Sequence, residues 1–524
     1  MKNFQKALFT FLLLSVFGFS AFAQENALPK IWSKILIDKN YDAQPLGEYI
    51  FTPAPQQITK VRLKKTEAIV YPNFRPLPTT NTTQSEMSVD IHPLNANIVF
   101  GSANTTTWPF STLYGTGGYI TVNGGSNWTG FDNPPYGANS GDPASVIGTN
   151  GYFYEGFIDG GSNDGGQGVA RSTDNGATWT RYVVGAAPSG FNDLLDKNHM
   201  TVDKKVGSPY ENRVYASWTA FVTGSANDAN LEFKYSTNFG QTWSTARNIS
   251  AGVNAGSHDQ GVNLSTGPNG EVYATWAIYD NWATGIYGED AIGFAKSEDG
   301  GQTWAAPQRI YSAANFGIRG TLSNKAGIRV ASFPSMAVDR TGGSYNGYIY
   351  ISWAQKGVAP AGNDPDIVMI RSSDGGATWS TPVRVNDDPL NNGKDQYYNW
   401  VTVDQSSGHV FSVFYDSRNT ANDSAQVYLA RSVNGGLNHE NLLVSDARFK
   451  PKAIAGLAGG YQGDYIGIAA LNNTIFPFWC DDRTGNYQGW MTKVSFGPTI
   501  DHTPLTNTEN LAGPYTVTAE IGSA

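Results

Sequence analysis

Twelve polar or aromatic residues with useful chemistry stand between the apolar runs of this chain: Asp142, His199, His258, Glu289, Arg329, Gln396, Tyr397, Tyr398, Trp400, Arg418, Asp464 and Arg483. Carboxylates and amides supply the paired hydrogen bonds that hydroxyl groups need. Aromatic rings stack on the C–H faces of sugars, and arginines grip a carboxylate in a bidentate fork. A glycan is the expected ligand. The same set admits a second chemistry, because His199 and His258, with Tyr397 or Tyr398 and Arg329, could neutralise a uronate and abstract its C5 proton. Metal chemistry is poorly served: His-x-x-His spacing is absent and no metal ligands are assigned. Asp159 with Asn163 and Asp164, in a Gly-rich loop, could hold Ca²⁺, although EF-hand spacing is missing. No other cofactor is implied.

The elements that must position these residues follow from an internal repeat. The phrases Thr121-Val-Asn-Gly-Gly-Ser-Asn-Trp128, Ser172-Thr-Asp-Asn-Gly-Ala-Thr-Trp179, Ser236-Thr-Asn-Phe-Gly-Gln-Thr-Trp243, Ser297-Glu-Asp-Gly-Gly-Gln-Thr-Trp304 and Ser372-Ser-Asp-Gly-Gly-Ala-Thr-Trp379 are near copies, and Ser432 to His439 is a decayed sixth. Their last positions lie 51, 64, 61, 75 and 60 residues apart. In each copy Asp or Asn can bond the N–H groups ahead of it, Gly takes φ > 0 and Trp plugs under a tight turn. A second phrase alternates with period two: Met200-Thr-Val-Asp203 then Val214 to Trp218, Met336 to Asp339 then Ile349 to Trp353, and Val401 to Asp404 then Val410 to Phe414. Further copies begin near Met87, Ala144, Val262 and Tyr465, which makes seven. Strand-rich units at this spacing predict an all-β, seven-bladed propeller of four-stranded antiparallel blades, with six blades as the alternative. The seventh unit lacks a fourth strand, so a strand from within Lys30–Tyr71 is expected to close the ring and leave no free edge.

Composition agrees with a folded, exported protein. The 524 residues carry 35 Lys and Arg against 44 Asp and Glu, a net charge of −9, too acidic for a nucleic-acid clamp. Only 15% are charged while 13% are aromatic and 59 are Gly, which fits neither a disordered polyampholyte nor a coiled coil. The single Cys480 excludes an internal disulfide framework and a Cys-based zinc site. Lys2 and Lys6, the apolar run Ala7–Phe22 and the small-residue end Ala21-Phe22-Ala23 read as a signal peptide over residues 1–23. An uncleaved anchor is the rival reading. The expected organisation is a signal at 1–23, an N-terminal segment at 24–78 that contributes the closing strand, a propeller at 79–497, and a linker with the start of a further module at 498–524. That tail resembles the opening of the immunoglobulin-like modules of secreted bacterial proteins. The mature product is expected to be secreted or held at the cell surface, monomeric, without a membrane span, and directed at an extracellular glycan or glycoprotein rather than nucleic acid.

The turn phrase resembles the Asp-box, or BNR repeat, of the sialidase superfamily. That resemblance is specific for fold and weak for activity, since such boxes also occur in propellers that only bind. It implies boxes on one face and ligand contacts on the other, where the loops from strand two to three and from strand four to the next blade emerge. A residue repeated in most blades builds blades, whereas one present once is free to serve function. The recurrent Asn163-Asp164, Asn227-Asp228, Asn363-Asp364 and Asn422-Asp423 are therefore read as loop caps, and Arg171, Arg371 and Arg431 as structural. Singular residues on the second face include Glu86, Asp196, Lys197, Trp282 and Tyr461 as well as those named at the outset.

Sialidases hold the sugar carboxylate with three arginines and use a Tyr–Glu nucleophile and an Asp acid/base. A neutral Tyr approaches a carboxylate-bearing anomeric carbon with less repulsion than a carboxylate would. Carried over by residue, the resemblance implies Arg75 in Phe74-Arg75-Pro76-Leu77, where the family's Phe-Arg-Ile-Pro order is lacking, and two of Arg329, Arg418 and Arg483. Tyr397, Tyr398, Tyr461 or Tyr465 would be the tyrosine, Glu289, Glu86 or Glu155 its glutamate, and Asp142 the acid/base. Asp416-Ser-Arg418 and Asp481-Asp-Arg483 also read as ion pairs within their own loops. The leading expectation is a sialidase-like glycoside hydrolase. A glycan- or protein-binding propeller without catalysis is the alternative, and a polysaccharide lyase using His and Tyr, similar to some seven-bladed lyases, is the third.

Overall fold

The computed structural model describes residues 58–63, 66–190, 193–222, 229–253, 256–282, 288–313, 316–457, 459–498, 500–502 and 519–521. The expected signal peptide, Asn227-Asp228 and most of the C-terminal tail lie outside the described residues. Of the expected tail strand only Ala519–Ile521 is described, and it pairs with Ile500–His502.

Alternating apolar residues fold into seven antiparallel sheets arranged as blades. Their innermost strands are Thr82–Ile91, Ala144–Ile147, Leu194–Val202, His258–Thr266, Ser335–Val338, Gln396–Val403 and Gly467–Leu471, for blades one to seven in turn. Blades one to six each have four strands in sequence order. In blade seven the third strand is broken into Gln488–Met491 and Val494–Pro498. Thr66–Val70 then pairs with Val494–Pro498 as the closing strand, and Thr59–Arg62 pairs with its outer edge. Ala68 and Val70 are buried in the core, so the ring is sealed by packing as well as by hydrogen bonds.

The boxes join third to fourth strands. In the second copy Ser172 Oγ accepts from Gly176 N at 2.9 Å, and Asp174 accepts from Thr178 N at 2.9 Å and Thr178 Oγ1 at 2.6 Å. Gly176 has φ +84°, and Trp179 Nε1 donates to its carbonyl at 3.0 Å. The Trp ring does more than plug its own turn. Trp179 meets Phe100 of blade one at 5.5 Å, Trp304 meets Phe233 of blade three at 4.8 Å, and Trp379 meets Phe294 of blade four at 5.1 Å. These three box tryptophans thus cement their blades to the preceding ones, a contribution of about 0.5–1.5 kcal/mol per ring pair beyond the area buried.

A second seam runs round the hub, where one inner-strand side chain caps a backbone N–H of the next blade. Ser88 Oγ accepts from Ser145 N, His199 Nδ1 from Leu264 N, Asn263 Oδ1 from Met336 N and Ser335 Oγ from Val401 N. Two residues before this seam the inner strands of blades one, three, four and six carry a bulge, with Glu86 (φ 55°), Lys197 (φ 50°), Gly261 (φ 76°) and Tyr398 (φ 46°) in left-handed conformations. Asp142 (φ 60°) occupies the corresponding place in blade two. A bulge re-aims side chains, and left-handed non-Gly residues cost of order 1–3 kcal/mol each, so the mouth of the hub is where strain accumulates.

Candidate functional site

The bulges open onto a cleft of about 770 Å³ on the face opposite the boxes. Its floor is a carboxyl cluster. Asp142 is flanked by Glu86 and Asp196, and Asp464 lies within charge range of all three. Asn104 organises this group: its Nδ2 donates to Glu86 Oε2 at 2.5 Å and to Tyr461 OH at 3.0 Å, and its Oδ1 accepts from Asp142 N at 2.7 Å. Lys197 N donates to Asp142 Oδ2 at 3.0 Å and to Asp196 Oδ1 at 2.8 Å, while its ammonium rests 3.4 Å from the Tyr465 ring centroid.

Carboxyls in contact cannot all ionise. Burial, reinforced by Asp142 and Asp464, pushes Glu86 well above the usual range. Burial also raises Asp142, and burial with the charge of Asp142 pushes Asp196 up to about 8. Burial lowers Lys197 against the pull of the four carboxylates. For Arg329 burial opposes the charge, but Asp464 more than offsets it, and the guanidinium is held more firmly cationic than usual. Burial raises the Tyr461 phenol well above its ordinary value.

The two arginines of the cleft arrive on an insertion between blades four and five, a hairpin of Gly320–Leu322 and Ile328–Val330. This strap accounts for the long 75-residue interval between the fourth and fifth box tryptophans. Its base is pinned by Glu289, which accepts from Arg319 N at 3.1 Å and Ser332 N at 2.7 Å. Its tip is pinned where buried Lys325 pairs with Asp395 and donates to Asn422 O at 2.9 Å. Tyr398 OH donates to Arg329 O at 2.6 Å, and Arg329 N to Gly460 O at 2.9 Å. Arg329 then forks onto Asp464 at 3.2 and 2.7 Å and lies 4.9 Å from the Tyr461 ring centroid.

Of the twelve residues named first from the sequence, Asp142, Arg329 and Asp464 line this cleft. His258 lies one layer behind, stacked on the cleft residue Trp282 at 3.7 Å. Trp400 and His199 line the channel below it, 5.7 Å apart. His199 spends Nδ1 on the inter-blade seam, and burial followed by the charges of Lys197 and Lys204 pushes it down to about 3, so it stays neutral. Tyr398 donates to the Arg329 carbonyl and lines the channel below the cleft, and Tyr397 is buried inside blade six. Glu289 is a buried pin rather than a cleft residue.

The arginines expected to converge do not. Arg418 closes on Asp416, two residues back, and on Asp387 and Asp388. Arg483 is fully buried between Asp481 and Asp446. In both loops the Asp-x-Arg pairing is local, so the guanidinium is spent before it can reach the hub. Gln396 is held by Asn386, Asp388 and Asp416, and Arg75 lies over Trp490 at 5.6 Å and outside the cleft lining. At the suggested Ca²⁺ loop, Asp159 is engaged by Arg181 and by Asn163 Nδ2. Among the described residues no group of three or more His, Cys, Asp or Glu is placed to hold a metal ion.

Glu86, Asp196, Lys197, Trp282 and Tyr461 were visible in the sequence as singular loop residues. Asn104, Arg319 and Phe333 were not, since Asn104 is inside a strand and the strap has no counterpart in other blades. The available signal was the bulge register itself, at which six blades carry Glu86, Asp142, Lys197, Gly261, Phe333 and Tyr398, no two alike. A side chain on Gly261 would meet Phe333 Cδ1 at 2.1 Å, which explains the glycine there.

No protein-family model matches the chain. No curated protein sequence matches it. Among solved structures it is similar to a polysaccharide lyase of family PL25, an ulvan lyase (12% identity, TM-score 0.48, covering 79% of this chain and 94% of that one). It is also similar to the Hadza microbial sialidase Hz136 (15%, TM-score 0.41, 75% and 76%). The GH93 α-L-arabinofuranosidase of Fusarium graminearum is a third (9%, TM-score 0.42, 67% and 92%). Likenesses this distant carry no argument about chemistry, and the reading of the site rests on its own residues.

Proposed function

We propose that the protein is an exported glycoside hydrolase whose reaction centre is the carboxyl cluster at the hub. The observation that carries this is a set of contacting carboxyls, Glu86, Asp142 and Asp196, held above their usual range inside a cleft that also offers an arginine and aromatic walls. A carboxyl whose hold on its proton is strengthened by burial is suited to act as general acid for a glycosidic oxygen. Asp142 takes the acid/base role. Tyr461 and Glu86, both bound by Asn104 Nδ2, stand beside it in place of Tyr397 or Tyr398 with Glu289. Arg329 faces a carboxylate on the reacting sugar, with Asp464 as its partner while the cleft is empty.

The test is turnover on fluorogenic sialosides and uronides and on a mixed glycan panel. Asp142→Asn is expected to lower kcat by about 10²–10⁴-fold with binding retained. Wild-type protein that retains glycans but releases no reducing ends would sink the hydrolase in favour of a binding propeller. Unsaturated products seen by ultraviolet absorbance would instead support a lyase. Export is tested at the N-terminus of the mature protein, expected at Gln24.

A further inference from the structure

The two arginines in the cleft are differently employed. Arg329 is closed on Asp464, whereas Arg319 forms no ion pair among the described residues. Its guanidinium lies 4.5 Å from the Trp282 ring centroid and 5.1 Å from that of Tyr279, with one long hydrogen bond, Nη1 to Tyr279 OH at 3.4 Å. The neighbouring Glu289 carboxylate already accepts the backbone N–H groups of Arg319 and Ser332. Trp282 is itself stacked on His258 with an interplanar angle of 12°, which fixes the plate that carries Arg319. A guanidinium spread over an indole keeps its in-plane N–H donors available, and a half-buried cation with unspent donors is a place for an anion.

Arg319 is also set apart from the reaction centre. Its partners are Tyr279, Trp282 and Glu289, whereas the carboxyl cluster is held by Asn104 and Lys197, and among the described residues the two groups share none of these partners although they line one cleft. We infer that Arg319 on its Trp282 plate is a subsite for an anionic group, carboxylate or sulfate ester, on a sugar unit next to the one that meets the carboxyl cluster. The inference rests on the carbohydrate reading above and makes the substrate a charged oligosaccharide rather than a single sugar.

The experiment is calorimetric titration of the full chain with four tetrasaccharides: a tetragalacturonide and its carboxyl-reduced counterpart, and a sulfated galactan fragment and its desulfated counterpart. At least one charged member is expected to bind about 10- to 100-fold more tightly than its neutral twin, as charge-assisted hydrogen bonds allow. The pair that shows the difference identifies the anion. Arg319→Gln is expected to shrink the difference about tenfold, leaving only the share due to Arg329, and Arg319→Lys to shrink it less, with thermal unfolding unchanged in both. Equal binding of charged and neutral twins overturns the proposal, as does a preference of undiminished size in Arg319→Gln. Selective binding without turnover leaves the subsite standing and overturns only the hydrolase, whereas no binding of any of the four overturns the subsite and leaves the hydrolase to the turnover test above.

Discussion

Asp196 shows how a single residue at the hub links chemistry to stability. Its carboxyl titrates near 8 in the folded protein, because of burial and then the charge of Asp142, against an ordinary value of about 3.9 in an unfolded chain. Between those two values the folded state keeps a proton that the unfolded state has lost, so stability falls as pH rises from about 4 to about 8. Asn cannot ionise. Asp196→Asn is therefore expected to raise Tm by about 3–6 °C at pH 8 and by less than about 2 °C at pH 5, measured by calorimetry across that range. A Tm gain independent of pH would mean that the carboxyl is not held neutral by the fold. Loss of activity in the same variant, with a more stable fold, is the trade-off expected where strained or repelling groups serve catalysis.

Among the elements, the strap between blades four and five carries both cleft arginines, and on the function proposed above it decides most about ligand recognition. Its apolar residues Leu322, Ile328 and Val330 join the core, while Glu289 and Lys325 pin its two ends. A glutamine at 289 keeps the shape but has one acceptor oxygen for two backbone N–H groups. Glu289→Gln is expected to raise KM about tenfold with kcat changed by less than about threefold, since the arginines are displaced while the carboxyl cluster is left in place. Equal losses in kcat and KM terms would indicate that Glu289 acts in the chemical step after all. The inner-strand bulges are the second functional element. They place Glu86 and Lys197 at one level of the hub, beside Asp142, by bending strands that, left straight, would aim these side chains elsewhere.

At the scale of the whole molecule, closure by Thr66–Val70 holds blade seven, and with it Tyr461 and Asp464, against blade one. Ala68 has no exposed surface. Ala68→Asp would bury an unpaired charge at the seam and is expected to cost about 3 kcal/mol or more, seen as a lowered Tm. Hydrogen exchange should then show blade seven opening first. Uniform loss of protection through all blades would mean that the seam is no weaker than the rest of the ring.

What the amino-acid order determined by itself was whatever is repeated. Six box phrases and seven alternating strand pairs gave blade number, box face and the need for a terminal closing strand, because turn chemistry and period-two burial act within a few residues. The singular residues Asp142, Asp464 and Arg329 were legible for the complementary reason that nothing repeats them. The tertiary structure alone decided which singular residues meet. Arg418 and Arg483 look like Arg329 in sequence, yet each has an aspartate two positions back that captures it, while Arg329 is carried to the hub by an insertion without a repeat to reveal it. Convergence at the channel mouth depends on bulge register and on contacts between residues hundreds of positions apart, such as Asn104 with Tyr461, and no local pattern encodes those distances.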